Sequence, residues 1–405
     1  MKLTPESEQI VAATAAVVAE HADEITRTFY PSMFAAHPEL LRVFNQANQA
    51  IGEQPKALAA SVVAFATQLV DPNAPDFTPV MNRIAHKHVS LGISSTQYTI
   101  VGKHLLGAVK TVLGDAITPE VAAAWDEVYW LFGCSLIAEE ARLYALAGTD
   151  PEHPWRDYRV VERFEESDDV FSLLLAPVTG EVPAHSTGQY VAIAVDLPDG
   201  DRQPRQYTIS SGPRGDTLRV TIKRVRGTDG APDGRVSTWL HGNAKPGTIL
   251  QVSQPAGDVV LDGSEAPLVL VSAGIGITPI AAIMEDLSRR QPDRQVRLFH
   301  ADRSHEHHAL YSGLRRQVLA MSDARAQNWY EADADSAPTL HPAREGLMDL
   351  SDIAVPADAE VFMCGPLPFM QMARRMLVDK GIPGESIHYE VFGPDLWTQN
   401  ADNAN

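Results

Sequence analysis

The chain has 405 residues, with 33 Lys and Arg against 52 Asp and Glu for a net charge of -19. No basic run offsets that balance, so phosphate backbones and anionic membranes are poor partners, and the length exceeds what a single hydrophobic core usually organises. The only cysteines, Cys134 and Cys364, are too far apart for a disulfide framework or a zinc site of the usual spacing, which fits a reducing compartment and a cytoplasmic location.

From Glu6 to Ala147 apolar residues recur three and four apart in Ala-rich segments, which predicts an all-α region. The apolar run from Ile10 to Ala19 stops at Glu20 and His21 and reads as a first amphipathic helix rather than a secretory segment. No uninterrupted apolar stretch approaches the roughly 20 residues needed to cross a bilayer. The segment AGTDPEHP, residues 147–154, cannot continue a helix and marks a boundary.

After Trp155 short alternating runs (YRVVERF, VFSLLLAP, QYVAIAVDL, RQYTIS, LRVTIKRV) are separated by Gly, Pro and Asp turns, the pattern of an antiparallel barrel. From Pro267 continuous apolar strands (PLVLVS, QVRLFHA, AEVFMC) alternate with amphipathic helical stretches, the pattern of a parallel sheet with helices on its faces. The expected architecture is multidomain: an all-α domain over 1–147, an antiparallel β-barrel over 155–262 and an α/β parallel-sheet domain over 267–397.

Within VMNRIAHKHVSLGI, Met81, Ile84, Ala85, His88 and Leu91 share one helical face, while His86 lies with Asn82, Arg83 and Ser90. His88 therefore points inward. Taken alone, a histidine on an apolar face is more often a core residue than a ligand.

The first 147 residues resemble a bacterial globin, and closely the globin part of flavohaemoglobins, through TFYPSMFAAHPELLRVFN, IGEQPKAL, IAHKHVSLGI and QYTIVGKHLL in family order. The resemblance implies haem b with His88 as its proximal iron ligand. It implies a distal Tyr30 and Gln54 that hydrogen-bond dioxygen, Phe44 and Leu58 packed on the haem, and Lys87 near the haem edge. Pro31 and Pro55 depart from the family by directly following the two distal residues, where an interior proline tends to kink a helix. In the family a Tyr and a Glu hydrogen-bond around the proximal histidine. Tyr98 matches the Tyr, but alignment on Trp125 and Tyr129 puts Arg142 where the Glu belongs. Glu139, one turn earlier on that face, is the expected substitute, and the role stays open between them.

RQYTIS resembles the flavin-binding strand of the ferredoxin-reductase superfamily. The likeness implies FAD held by Arg205, Gln206, Tyr207 and Thr208, with Arg205 on the pyrophosphate and Tyr207 and Thr208 at the ring. GRVSTWL is similar to the phosphate-binding helix start of that superfamily, with Val236, Ser237 and Thr238 at the pyrophosphate. Tyr190, in TGQYVAI, matches a further residue near the flavin.

PLVLVSAGIGITPIAAIM runs from a buried strand into Gly274 and Gly276, after which Thr278 and Pro279 open a helix. A second strand ends in Cys364, Gly365 and Pro366. Both resemble the nicotinamide-nucleotide site of the same reductases, and HYEVFGP resembles the segment that places Glu390 and Phe392 beside flavin and nicotinamide. Cys364 itself reads as a buried small residue. In HADRS, Arg303 favours NADPH and Asp302 favours NADH, with NADH preferred.

Together these implied sites make an electron path from NADH (or NADPH) through FAD to haem. For flavohaemoglobins the resemblance implies nitric oxide dioxygenase activity on O2 and NO, with no nucleic acid, no membrane insertion and no obligatory protein partner. Two alternatives remain: an NAD(P)H-dependent reductase of flavin, ferric iron or quinone that carries a haem domain, and a non-catalytic oxygen-binding or sensing globin.

Overall fold

The computed structural model describes residues 2–42, 53–213, 215–227 and 232–393. These divide into two compact units. One runs to Trp155 and also takes in Pro198–Pro204 and Gly393; the other consists of Arg156–Leu197 and Arg205–Phe392.

The first unit is helical: α1 (Pro5–Glu20), α2 (Ala22–Ala36), a 3-10 turn (Pro38–Arg42), α3 (Glu53–Val70), α4 (Thr78–Leu91), α5 (Ser95–Leu113) and α6 (Pro119–Ala147). Local chemistry sets several of these ends. Thr4 and Thr118 cap α1 and α6 by accepting the Ser7 and Val121 amides, each with Pro at the first helical position. Gly92, at φ 71°, ends α4, and Ile93 N–H returns to His88 O at 3.1 Å.

Pro31 lies inside α2, yet the helix runs on to Ala36. Pro55 is the third residue of α3, in the first turn, where backbone N–H groups have no intrahelical partner to lose. Neither proline ends its helix.

Helix α6 carries an inward stripe of Trp125, Val128, Tyr129, Phe132 and Leu136. Phe65, Phe77 and Phe132 form one aromatic cluster with ring centroids 5.2, 6.3 and 6.4 Å apart. Among the described residues α6 is the one helix long and apolar enough to cross a membrane. Its inward apolar residues, Trp125, Val128, Tyr129, Phe132 and Leu136 among them, belong to the helical core, while Trp130 and Leu146 are exposed.

The second unit begins with an antiparallel sheet of β1 (Trp155–Ser167), β2 (Val170–Pro177), β3 (Tyr190–Asp196), β4 (Arg202–Thr208), β5 (Leu218–Lys223) and β6 (Ile249–Ser253), with α7 (Arg235–Asn243) between the last two. The strand order is β4-β3-β6-β1-β2-β5, and an Ile209–Val220 bridge closes the two edges on each other. Tyr158, Phe171, Leu173, Leu175, Ile193 and Val220 fill the interior.

A parallel sheet follows: β7 (Leu268–Ala273), β8 (Val296–Asp302), β9 (Ala324–Tyr330), β10 (Arg344–Glu345), β11 (Glu360–Cys364) and β12 (Ile387–Glu390), with α8 (Ile277–Arg290), α9 (Tyr311–Ala320) and α10 (Leu367–Asp379). Its order is β10-β9-β8-β7-β11-β12. The chain leaves β7 toward β8 on one side and returns to β11 on the other, so the switch point lies between β7 and β11. Open α/β sheets bind ligands at that place.

One close contact tests the helical packing. A Cβ on Gly102 of α5 would sit 2.3 Å from Cε1 of Tyr129, a ring whose hydroxyl donates to Tyr98 O at 2.5 Å. Gly102→Ala is therefore expected to displace that ring and cost about 1–3 kcal/mol, the usual range for overpacking. A lower urea midpoint for the helical unit, read by tryptophan fluorescence, is the check.

Candidate functional site

Three side chains from three helices meet in the helical unit. His88, on α4, places Nδ1 2.8 Å from Glu140 Oε1 and 2.9 Å from the Tyr98 hydroxyl. Tyr98, on α5, donates to the same Glu140 oxygen at 2.5 Å. The tyrosine has a single proton and spends it on the carboxylate, so the His88 Nδ1–H is the donor shared by Glu140 and Tyr98. That arrangement fixes the tautomer and leaves the Nε2 lone pair for a metal. The carboxylate is almost wholly buried, whereas the imidazole keeps 31% of its surface accessible. Burial, reinforced by the adjacent Glu140 charge, pushes the Tyr98 phenol far above its ordinary range, so it stays a neutral donor.

The carboxylate at His88 is thus Glu140, and the expectation of Glu139 is corrected. Successive residues of an α-helix are rotated by about 100°, and the inward stripe of α6 continues from Leu136 to Glu140 and Tyr144. Glu139 falls beside that stripe and pairs with Arg142, which also holds its carboxyl below the usual value. Arg142 itself is exposed. The stripe is readable in the sequence; alignment on Trp125 and Tyr129 pointed two positions further on, to Arg142, and the substitute taken one turn before it, Glu139, falls one residue short of Glu140.

Tyr30 is buried on α2 with its ring centroid 4.6 Å from Phe29 and 5.8 Å from Phe34. Leu58, on α3, packs partly buried against the core. Gln54 is the second residue of α3, and its side chain lies outside the described residues, as does all of Phe44. Lys87 donates from Nζ to Gly393 O at 2.7 Å.

In the barrel, Arg205, Gln206, Tyr207 and Thr208 lie on β4, with Thr208 buried. Burial above all lowers the Arg205 guanidinium from its ordinary value; Tyr207 opposes this and the like charge of Arg235 adds to it. Arg235 is the first residue of α7, whose N-terminal amides favour an anion. Two guanidinium groups that feel each other beside a helix N-terminus suit a pyrophosphate, and the sequence reading missed Arg235. Ser237 is occupied, accepting the Val225 amide at 3.1 Å and donating to Gly234 O. The Thr238 hydroxyl oxygen is buried and has no hydrogen-bond partner among the described residues, so of the two it is the one left for a ligand. Val236 and Tyr190 are buried.

At the switch point, a Cβ on Gly276 would lie 2.2 Å from Cys364 O and one on Gly365 would lie 2.8 Å from the Phe369 ring. Gly274 has φ 54°, which favours glycine. The two turns after β7 and β11 are therefore pressed together by residues without side chains. Thr278 and Pro279 are buried in the first turn of α8, and the Thr278 hydroxyl donates to Ile275 O at 3.0 Å. Pro366 precedes α10. Cys364 pairs in register with Glu390, and burial, then the Glu390 charge, push its thiol well up, away from a reactive thiolate. Glu390 is buried and Phe392, just beyond it, is half exposed.

Residues 27–133 match the Globin family model, and residues 270–375 match that of the oxidoreductase NAD-binding domain. The chain is 41% identical over 401 residues to the flavohemoprotein of Bordetella parapertussis, covering 96% of this chain and 98% of that protein. Its fold is similar to that of the flavohemoglobin from Malassezia yamatoensis, solved with bound FAD and heme, with a TM-score of 0.87 and 34% identity over 97% of this chain and 100% of that one. The FAD/NAD-binding domain of the nitric oxide dioxygenase from Vibrio cholerae O1 biovar El Tor matches 59% of this chain and 99% of its own length, with a TM-score of 0.55 and 34% identity.

Replacing Glu140 by Leu strands a buried phenol and an imidazole N–H, so the helical unit is expected to lose about 1–3 kcal/mol. The same change at Glu139 removes an exposed pair and should cost no more than about 0.5 kcal/mol. Denaturant unfolding of the two variants in parallel decides the assignment.

Proposed function

The chain belongs to the flavohemoprotein family, and we propose that it is a nitric oxide dioxygenase that converts NO and O2 to nitrate with electrons drawn from NADH (or NADPH) through FAD. When bound, haem b supplies an open iron coordination position and FAD supplies the conversion of a hydride into single electrons.

The residues fit these groups. His88 offers Nε2 to iron while Glu140 and Tyr98 hold its Nδ1 proton. A carboxylate accepting that proton makes Nε2 a stronger donor, which suits turnover in which iron changes oxidation state. This is the observation that carries the reading over a simple oxygen carrier. Tyr30 and Gln54 are the proposed distal donors, Phe44 and Leu58 the apolar contacts, and Lys87 a residue at the haem edge. Arg205, Arg235 and Thr238 would hold the FAD pyrophosphate, with Tyr190, Gln206, Tyr207 and Thr208 along the flavin. The turns at Gly274, Gly276 and Cys364–Pro366 would take the nicotinamide nucleotide, with Glu390 and Phe392 at the meeting place of the two rings.

A reductase with another task would be favoured by a proximal histidine that lacks a carboxylate, as Arg142 at the Glu position would leave it; Glu140 at His88 removes that argument. The likeness of the second unit to part of the Vibrio cholerae nitric oxide dioxygenase agrees with the proposal.

The test is anaerobic absorption spectroscopy of the whole chain on adding NADH, followed by oxygen and then NO, with nitrate quantified. Nitrate formed in step with NO loss is the expected result; oxygen binding without nitrate would overturn the reading. Tyr30→Phe is expected to lower NO turnover by about 10²-fold, as for loss of one preorganised donor. NADH-driven reduction of ferricyanide by that variant should be unchanged, because the reductase unit is untouched.

A further inference from the structure

Strand β8 lies beside β7 and ends at Asp302, at the same carboxyl edge of the sheet as the turn at Gly274–Gly276. In dinucleotide-binding α/β sheets this strand end meets the adenosine ribose, where an acid suits a 2′-hydroxyl and an arginine accommodates a 2′-phosphate. Here the two stand side by side as Asp302 and Arg303.

Their side chains are already engaged. Asp302 accepts the Arg303 amide at 2.8 Å and lies 3.5 Å from His300 Nε2. The Arg303 guanidinium donates to Asp169 at 3.2 Å. Asp169 belongs to the turn between β1 and β2 and is only 14% exposed. Ser167 donates to its other carboxylate oxygen at 3.1 Å, and its carbonyl accepts the Arg224 amide at 2.7 Å. Nearby, Glu166 accepts the Leu310 amide at 3.0 Å and the Ser172 hydroxyl at 2.6 Å. The end of β1 and the turn after it thus grip the segment after β8 at two points, Leu310 through Glu166 and Arg303 through Asp169. An isolated exposed ion pair is weak because two mobile side chains must be fixed. In this pair the acid is fixed by the fold.

We propose that Asp169 sets nucleotide preference toward NADH by holding the Arg303 guanidinium in an ion pair, so that a 2′-phosphate meets carboxylate charge and an arginine already neutralised. The assignment rests on the nucleotide-site reading given above. A 2′-hydroxyl carries no charge and is not penalised, so selectivity arises on the phosphorylated ligand alone.

Calorimetric titration of the full chain with ADP-ribose and 2′-phospho-ADP-ribose tests this without turnover, and stopped-flow reduction of the flavin by NADH and NADPH follows it in function. Asp169→Asn should tighten 2′-phospho-ADP-ribose about threefold to fivefold, the scale of one released ion pair, and leave ADP-ribose unchanged. Arg303→Gln alone should move neither ligand by more than about twofold, and the double variant should lose the gain. A ratio unaltered by Asp169→Asn, or a gain that survives in the double variant, overturns the role of Asp169. Failure of both ligands to bind the unaltered chain, with no flavin reduction by either dinucleotide, would sink the nucleotide-site reading and this assignment with it.

Discussion

The hydrogen bonds at His88 Nδ1 tie three helices of the helical unit together around one buried carboxylate. They draw on α4, α5 and α6 together, and the Tyr129 hydroxyl on the Tyr98 carbonyl adds a further tie between α5 and α6. Burying a carboxylate costs several kcal/mol unless donors replace water. Glu140 receives two, from Tyr98 and His88. Each of the three groups is tolerable in the interior only because the other two are there, so the position and tautomer of His88 follow from packing. A ligand nitrogen held in this way can be strengthened as a donor without a formal charge on the ring, which is why a redox role follows more naturally than storage.

In the second unit the governing constraint is topological. Chain reversal between β7 and β11 leaves a crevice, and the sequence fills it with Gly274, Gly276 and Gly365, two of which no side chain could replace without moving backbone or a ring. The barrel prepares for charge differently. Arg205 and Arg235 are brought near each other beside a helix N-terminus, an arrangement that repels itself and becomes favourable when an anion neutralises it. Such a pair contributes to binding rather than to the stability of the empty fold.

Local signals made much of this legible. The fold class followed from periodicity, because a helix face, an alternating strand and a buried parallel strand each impose a different spacing. His88 was separable from His86 for the same reason, and the Gly-rich turn announced itself by residues that only tight backbone approach explains. Glu140 was legible in principle from the stripe through Leu136 and was missed because a one-residue slip on a helix changes the face. Arg235 and Asp169 were not legible. Their significance comes from partners on other elements, Asp169 from one 134 positions away; no motif marks Asp169, and Arg235 lies inside GRVSTWL, where its hydroxyl-bearing neighbours drew the assignment. The sequence also gives no hint that the Thr278 and Ser237 hydroxyls are spent on turns while that of Thr238 has no partner among the described residues.

Charge organises the two chemistries in opposite ways. The chain as a whole carries -19, which disfavours a phosphate-bearing dinucleotide at long range. Binding must therefore come from local arrangements that overcome the overall field: helix N-termini, paired guanidinium groups and backbone amides at the glycine turns. Screening favours this division, since exposed charges more than about 8–10 Å away are largely damped at physiological salt while groups in contact with the ligand are not. Where an acid stands at the proposed nucleotide edge, as at Asp302 and Asp169, the effect proposed for it is local and selective, bearing on the extra phosphate of one ligand and hardly on the pyrophosphate that both share. Uncharged O2 and NO are indifferent to the field altogether. The helical unit can consequently bury the Glu140 carboxylate behind the histidine, where its charge acts through Nδ1 rather than on the proposed diatomic substrates.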